Sequence, residues 1–183
     1  MRPDLPHPWH GFFHELDGAV SRPVSLSCLG GFVVSICYGM PRPTADVDVL
    51  SVVPHADARA LLELAGRGSP LHERHRVYLD LVTVATCPDS YEDRLTEILP
   101  GVFRNLQLMV LDPYDLALSK LERNAPQDRE DVFYLADVLA LDIAALDARY
   151  RQEMRPYLGN PAREDLTIKL WIEAITERRQ RPA

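Results

Sequence analysis

Cysteine is scarce in this chain. Three cysteines are present among 183 residues, at positions 28, 37 and 87, and no two have the Cys-x-x-Cys spacing of a zinc or redox site. They lie far apart in apolar or strand-like segments, which indicates buried thiols in a reducing cytosol. With 46% hydrophobic residues the chain can bury a core of its own, so it need not borrow stability from disulfides.

Long apolar runs are also missing. Residues 1–14 contain three prolines and three histidines but no apolar run of signal-peptide length. No later segment is long and apolar enough to span a bilayer. We therefore expect a cytoplasmic protein that has no membrane partner.

Positive charge is in deficit, with 20 Lys and Arg against 27 Asp and Glu and a net charge of −7. A protein that wraps nucleic acid with its whole surface needs many cationic contacts to phosphates, so the net charge argues against this class. A local basic patch remains a hypothesis, although solvated helix faces and chain ends have the same composition. The arginines that would form it are Arg149, Arg151, Arg155, Arg178, Arg179 and Arg181.

Hydrophobic periodicity and chain-breaking residues predict a small sheet with helices, followed by helices alone. Asp112 is expected to cap a helix whose first turn contains Pro113. We predict an α+β fold, in which residues 1–125 form a small mixed β-sheet core with flanking helices. Residues 126–183 are predicted to form a C-terminal helical bundle packed on that core as part of a single folded unit. The predicted strands are 25–29, 47–53, 76–86 and 106–111, and the predicted helices are 9–20, 32–38, 56–65, 114–123, 127–141, 143–154 and 164–179.

A pair of acids in a strand is the most informative local pattern. Residues two apart in a strand project from the same face, so Asp46 and Asp48 point together while Val47 and Val49 pack on the other side. Adjacent carboxylates repel each other unless a cation lies between them. Magnesium binds one or two carboxylates and completes its shell with water and substrate phosphates, so the pair predicts a metal site for a phosphate-bearing substrate.

Two further features extend this site. Asp80 interrupts the apolar run 77–82, where a charge is costly unless it is paired or metal-bound, so we predict it as the third ligand. Three carboxylates can hold two metals that stabilise the attacking and leaving oxygens of an in-line displacement at phosphorus. Gly30 and Gly31 are predicted where a strand turns into a helix, and glycines there let backbone N–H groups approach triphosphate oxygens.

Together these residues resemble a known family. The Gly30-Gly31 turn, the segment from Tyr38-Gly39 to Arg42-x-Thr44-x-Asp46-x-Asp48 and the later Asp80 are similar to the minimal core of polymerase-beta-like nucleotidyltransferases. Segments 118–123 (Leu-Ser-Lys-Leu-Glu-Arg) and 128–131 (Asp-Arg-Glu-Asp) resemble more particularly the bacterial AbiEii-type toxins and their uncharacterised relatives. The motifs extend from Leu29 to Leu135, well over half of the chain.

The resemblance implies an enzyme that uses Mg²⁺ or Mn²⁺ in a two-metal mechanism. It would transfer a nucleoside monophosphate from a nucleoside triphosphate to a hydroxyl, on the 3′ end of a tRNA or on a protein, with a cognate antitoxin as a further partner. Lys120 would contact the triphosphate, Arg123 would support it, and Asp128 or Asp131 would orient the acceptor or the lysine.

The nucleotide-binding set implied by the resemblance also includes Arg42 and Thr44. In one position the chain departs from the family. Where the superfamily signature has Gly-Ser at the turn, this chain has Gly31, so the hydroxyl that touches phosphate must come from elsewhere, with Ser35 as the candidate, or be absent.

Ordinary structural roles are open for several of these residues. Asp46 and Asp48 could cap a strand or be merely exposed, and Arg42 and Thr44 could only shape the loop. Asp80 could pair with Arg76 or Lys120. For Lys120 and Arg123 the alternative is a salt bridge with Asp128 or Asp131.

Two other functions compete with the enzyme. One is an interaction module, an antitoxin or scaffold with a degenerate nucleotidyltransferase core. The other is a glycosyltransferase, since that class also uses an Asp-x-Asp metal site. The three acids retained together favour the nucleotidyltransferase over the first, and the Gly-Gly turn and the small domain favour it over the second.

Overall fold

The computed structural model describes residues 5–82 and 85–180. Within these ranges the strands form one mixed five-stranded sheet in the order β3-β2-β1-β5-β4. Strands β1 and β2 are antiparallel, as are β4 and β5, whereas β1 pairs in parallel with β5 and β2 in parallel with β3. The strands are β1 (Val24–Leu29), β2 (Asp46–Val53), β3 (Tyr78–Leu81), β4 (Thr96–Ile98) and β5 (Leu106–Val110).

Four of the helices in the described part of the chain accompany this sheet. Helix α1 presents the buried side chains of Trp9, Phe12, Phe13 and Leu16 at helical spacing, and the Trp9 ring packs 4.9 Å from that of Phe32 in α2. Helix α4 starts with Ser69, whose hydroxyl accepts from the His72 N–H at 3.2 Å. The helices are α1 (Trp9–Ala19), α2 (Gly30–Ile36), α3 (Ala58–Ala65, preceded by a 3₁₀ turn His55–Asp57) and α4 (Pro70–His75).

Strand β2 contains a bulge at Leu50. Ser27 of β1 lies opposite Ser51, but the next residue, Cys28, lies opposite Val49, so Leu50 is the extra residue. The bulge keeps Val49 and Val52 on the same buried face although they are three positions apart.

The chain divides into two compact units. The first comprises the described residues of Met1–Ala85 together with Leu95–Leu111, and the second comprises those of Thr86–Arg94 and Asp112–Ala183. The second unit contains α5 (Pro113–Leu118), α6 (Pro126–Val138), α7 (Ile143–Arg149) and α8 (Ala162–Gln180), with a π-helical turn at Tyr150–Met154 and 3₁₀ turns at Tyr91–Arg94 and Arg155–Tyr157.

Buried ion pairs join the short segment 86–94 to the helices of its own unit. Arg94 donates two hydrogen bonds to the fully buried Asp115, at 2.8 and 3.0 Å, and one to Glu153 at 2.7 Å. Arg149 lies 3.0 Å from the same aspartate. Burial raises the pKa of Asp115 above its usual value, although the two arginines oppose this effect.

The predicted α+β class is confirmed, and most predicted elements are found with shifted ends. Asp112 caps α5 as expected, since its carboxylate accepts from the Asp115 N–H at 2.8 Å. The helix predicted over 114–123 ends at Leu118, and the one over 143–154 changes to π-helix at Tyr150.

Strand β3 is shorter than the predicted 76–86, and part of that prediction lies outside the described residues. Helix α4 and strand β4 were not predicted. The boundary at 125 and the single folded unit stay predictions.

The three cysteines lie within the described residues. All three thiols are free; Cys28 is buried, and Cys37 and Cys87 are half-buried. Burial raises the pKa of Cys37 and of Cys87 to about 12, which makes both thiols unreactive at neutral pH.

Among the described helices none is long and apolar enough to cross a membrane.

Candidate active site

The two predicted acids open strand β2 and share one face of the sheet. Asp46 and Asp48 are partly exposed, while Val47 and Val49 between and after them are buried on the opposite face. In the parallel register with β3, Asp48 lies beside Asp80. The first unit therefore brings the three predicted carboxylate residues to one edge of the sheet.

Gly30 lies directly against Asp48. Its φ is +72°, and an added Cβ would stand 1.8 Å from the Asp48 Oδ2. The carboxylate thus occupies the space that any other side chain would need, and the left-handed backbone favours glycine as well. The strand-to-helix turn and the acid pair form one packed arrangement.

Gly31 faces the loop between α2 and β2. A Cβ there would meet Thr44 Oγ1 at 3.5 Å and Arg42 Nη2 at 3.8 Å, both ordinary contact distances. Ser35 supports the same loop, because its hydroxyl donates to the Arg42 carbonyl at 2.9 Å. The structure thus uses the Ser35 hydroxyl to hold the loop, and its contact with phosphate stays a prediction.

The Asp46 carboxylate has a neighbour at each oxygen. Thr44 donates its hydroxyl to Oδ1 at 2.9 Å, and the Tyr78 hydroxyl lies 3.5 Å from Oδ2. Arg67 donates to the Tyr78 oxygen from the other side. Sequence reasoning missed Tyr78 and Arg67. Tyr78 was open to detection, since it precedes Asp80 by two positions and therefore shares its face.

This donor set fits a magnesium-type cation. The side chains are carboxylates, a hydroxyl is at hand, and Gly30 leaves room for the Asp48 oxygens at the turn. Across residues 5–82 and 85–180, no group of three or more His, Cys, Asp or Glu side chains is arranged as a preformed metal cage. Magnesium does not require one, because it takes one or two carboxylates and completes its shell with water and phosphate oxygens.

Comparison with known proteins identifies the family. The sequence model of a family described as "Nucleotidyltransferase of unknown function (DUF6036)" matches residues 14–178. The chain belongs to this nucleotidyltransferase family. No curated protein and no solved structure matches it. The matched range of the DUF6036 family begins in α1 and ends in α8, so it includes the acid pair, the Gly-Gly turn and the predicted residues of the second unit.

The remaining predicted residues form a charge cluster within the second unit, in which Lys120, Asp128 and Asp131 are buried and Arg123 is exposed. Lys120 is 4% exposed, and its Nζ lies 2.7 Å from Asp131 Oδ2 and 3.7 Å from Asp128 Oδ1. Arg123 makes a bidentate pair with Asp128, at 2.8 and 2.6 Å. Asp131 therefore orients the lysine ammonium, and contact of Lys120 or Arg123 with a triphosphate stays a prediction.

Asp128 also caps a helix in addition to pairing with Arg123. Its carboxylate also accepts the Ala125 N–H at 2.9 Å, at the start of α6. Burial works to raise the pKa of Asp128, but the hydrogen bonds from Arg123 and Ala125 and the charge of Lys120 outweigh it, and the pKa lies below its usual value.

The arginines considered for a basic patch are engaged with acceptors in their own unit. Arg149 pairs with Asp112, Arg151 with Asp147, Arg155 with Asp165 and Arg178 with Asp137, while Arg179 donates to the carbonyls of Ala136 and Leu141. Arg181 lies outside the described residues. Four of these arginines thus have acidic partners, and the pairs of Arg149, Arg155 and Arg178 join separate segments of the unit.

Proposed function

We propose that this DUF6036 protein transfers a nucleoside monophosphate from a nucleoside triphosphate to a hydroxyl acceptor with the help of Mg²⁺ or Mn²⁺. The observation that carries the proposal is the contact between Gly30 and the Asp48 carboxylate, with Asp46 and Asp80 on the same face of the sheet. A glycine turn packed directly on an acid pair supports a site where backbone N–H groups and metal-bound carboxylates meet the same phosphates.

Electrostatics support a bound cation. Three carboxylates at one sheet edge repel an incoming triphosphate, because like charges at short range interact unfavourably wherever water is partly excluded. Asp46, Asp48 and Asp80 would hold the metal, which, when bound, would neutralise the phosphate oxygens and stabilise the charge that develops during transfer.

The proposed reaction is an in-line displacement at the α-phosphorus. The acceptor oxygen forms a bond to the α-phosphorus, the bond between the α-phosphorus and its bridging oxygen breaks, and pyrophosphate leaves with that electron pair. The proton of the acceptor hydroxyl passes to the Asp80 carboxylate, which is the most exposed of the three acids. Asp48 and Asp46 anchor the triphosphate side of the site.

We further propose that the acceptor is a tRNA 3′ end or a protein hydroxyl and that the protein acts as an AbiEii-like toxin with a cognate antitoxin. These finer assignments rest on the resemblance of segments 118–123 and 128–131 to AbiEii-type toxins. The roles of Lys120 and Arg123 toward the triphosphate rest on the same resemblance.

The test is incubation of the protein with each α-³²P-labelled triphosphate, Mg²⁺ and either total cellular RNA or total protein. The wild type should label one of these fractions from α-labelled but not γ-labelled triphosphate. Asp48→Asn keeps the volume of the side chain but removes a ligand, so it should give no label. Asp147→Asn is the matched control, since it removes an acid of the second unit whose i,i+4 pair with Arg151 is exposed to solvent and contributes little.

Two outcomes would contradict the proposal. Label transfer by Asp48→Asn at the wild-type rate would show that the acid pair is not the site. Triphosphate binding without transfer from any of the four nucleotides would favour the interaction module instead.

A further inference from the structure

Tyr78 occupies a defined place beside the acid pair. It lies in β3 opposite Asp46 in the parallel register, and 6% of the residue is exposed. Its ring packs edge-on against His72 at 4.9 Å, so the position of the hydroxyl is fixed by packing. That hydroxyl stands between the Arg67 guanidinium and Asp46 Oδ2.

The direction of these hydrogen bonds follows from chemistry. A guanidinium can only donate, so the Tyr78 oxygen accepts from Arg67 and its own proton is left for Asp46. A phenol is protonated at neutral pH, so the Tyr78 hydroxyl has this one proton to donate. The distance of 3.5 Å to Asp46 Oδ2 is at the long limit of a hydrogen bond.

The backbone places Arg67 for this contact. The preceding residue, Gly66, forms a parallel bridge with Leu79, the neighbour of Tyr78. A Cβ on Gly66 would lie 2.5 Å from the Leu62 carbonyl oxygen, so only glycine fits where α3 ends. The Arg67 guanidinium then lies over the Tyr78 ring, with its Cζ 4.5 Å from the ring centroid.

We propose that Tyr78, held by Arg67, is a positioning residue that fixes the Asp46 carboxylate for divalent-cation binding. Thr44 donates to Oδ1, and the Tyr78 hydroxyl lies within reach of Oδ2, which would leave a lone pair on each carboxylate oxygen to hold the cation. The proposal rests on the proposed function, since it assigns a role toward the same metal.

The test is a direct titration of the protein with Mn²⁺, in which the electron paramagnetic resonance signal reports the concentration of free ion. Melting temperatures are measured in parallel. Tyr78→Phe keeps the ring but removes the hydroxyl, and should raise the Mn²⁺ Kd by about 10-fold or more, the usual effect of losing an outer-shell partner. Tyr114→Phe is the matched control, because its hydroxyl accepts from the Asp142 N–H in the second unit, and its Kd should equal that of the wild type.

Arg67→Met supplies a second variant that does not depend on a buried change, since Arg67 is exposed. Because Arg67 acts through the Tyr78 hydroxyl, Arg67→Met alone should raise the Mn²⁺ Kd. In a protein that already contains Tyr78→Phe, Arg67→Met should leave the Mn²⁺ Kd unchanged. A residue that only stabilises the fold would lower the melting temperature and leave the Mn²⁺ Kd unchanged.

The results separate this inference from the proposed function. If Asp48→Asn abolishes Mn²⁺ binding while Tyr78→Phe and Arg67→Met bind it as the wild type does, the metal site stands and the positioning role is overturned. Should Asp48→Asn bind Mn²⁺ normally, the proposed function itself fails. If the effects of Tyr78→Phe and Arg67→Met on the free energy of Mn²⁺ binding add in the double variant, Arg67 does not act through the Tyr78 hydroxyl.

Discussion

Replacement of Gly30 by alanine tests the packed arrangement of turn and acid most directly. The added Cβ would stand 1.8 Å from Asp48 Oδ2 and 2.7 Å from its Cγ, whereas ordinary contact begins at 3.4 Å. The carboxylate must therefore move by more than 1 Å, and in enzymes a misplacement of about 1 Å can lower the rate by about 100-fold. We expect Gly30→Ala to lower label transfer by at least about 100-fold.

The same change should also cost stability. A left-handed alanine costs about 1–2 kcal/mol, and rotating Asp48 out of its preferred rotamer costs about 0.5–1.5 kcal/mol more. For a chain of this size each kcal/mol lowers the melting temperature by about 2–4 °C, so thermal unfolding resolves the effect. The rate loss should far exceed what this destabilisation explains at 25 °C.

Two comparisons isolate the cause. Gly18→Ala is the matched control, because Gly18 lies in α1, where an added Cβ would meet no described atom within 4 Å, and because alanine is favoured over glycine in a helix. In the Asp48→Ala background the oxygens are gone, so Gly30→Ala should cost less stability there than in the wild type. Equal costs in both backgrounds, or transfer by Gly30→Ala as fast as by Gly18→Ala, would refute the reasoning.

Three further outcomes are expected. Asp80→Asn should lower turnover without changing triphosphate affinity, as measured by single-turnover transfer and calorimetry; equal loss of binding would contradict its role on the acceptor side. Lys120→Met should lower the free energy of unfolding in urea by about 3–5 kcal/mol, because Asp131, 1% exposed, loses its cation; a change below about 1 kcal/mol would contradict the buried pair. Since the pKa of Asp128 is lowered on folding, the stabilisation that its carboxylate gives the folded state is fully present above the ordinary pKa of 3.8. This stabilisation is lost as the pH falls through the lowered pKa. Urea midpoints measured from about pH 5 to about pH 2 should therefore fall less steeply in Asp128→Asn than in the wild type, and parallel curves would contradict this assignment.

The sequence was sufficient to predict that Asp46 and Asp48 share one face of a strand after a glycine turn, because the signals for both features are local. Alternation in β2 places Asp46 and Asp48 on one face, and two glycines mark the turn. The contact of Gly30 with Asp48 depends on the antiparallel pairing of β1 with β2, which places Leu29 opposite Asp48. No periodicity in one segment reveals such a register.

Apart from α4, whose Ser69 cap and Pro70 are local signals, the features that were missed depend on contacts between distant segments. Strand β4 is three residues long and is stabilised by pairing with β5, and residues 86–94 join the second unit through Arg94 and Asp115. Arg67 gains its role from the bridge between Gly66 and Leu79. In each case tertiary pairing outweighs a weak or ambiguous local preference.

The bulge at Leu50 divides β2 into two halves whose side-chain alternation is out of phase. Its first half alternates acids with buried valines, and its second half buries Val52 in a different phase. Substitutions in one half need not disturb the facing of the other, and loss of Leu50 alone would remove the bulge while Val49 and Val52 keep the buried face. Relatives of this chain can therefore lack the residue at this one position without turning a valine outward, whereas an alignment that places the gap elsewhere in β2 would assign the buried valines of one half to the wrong face.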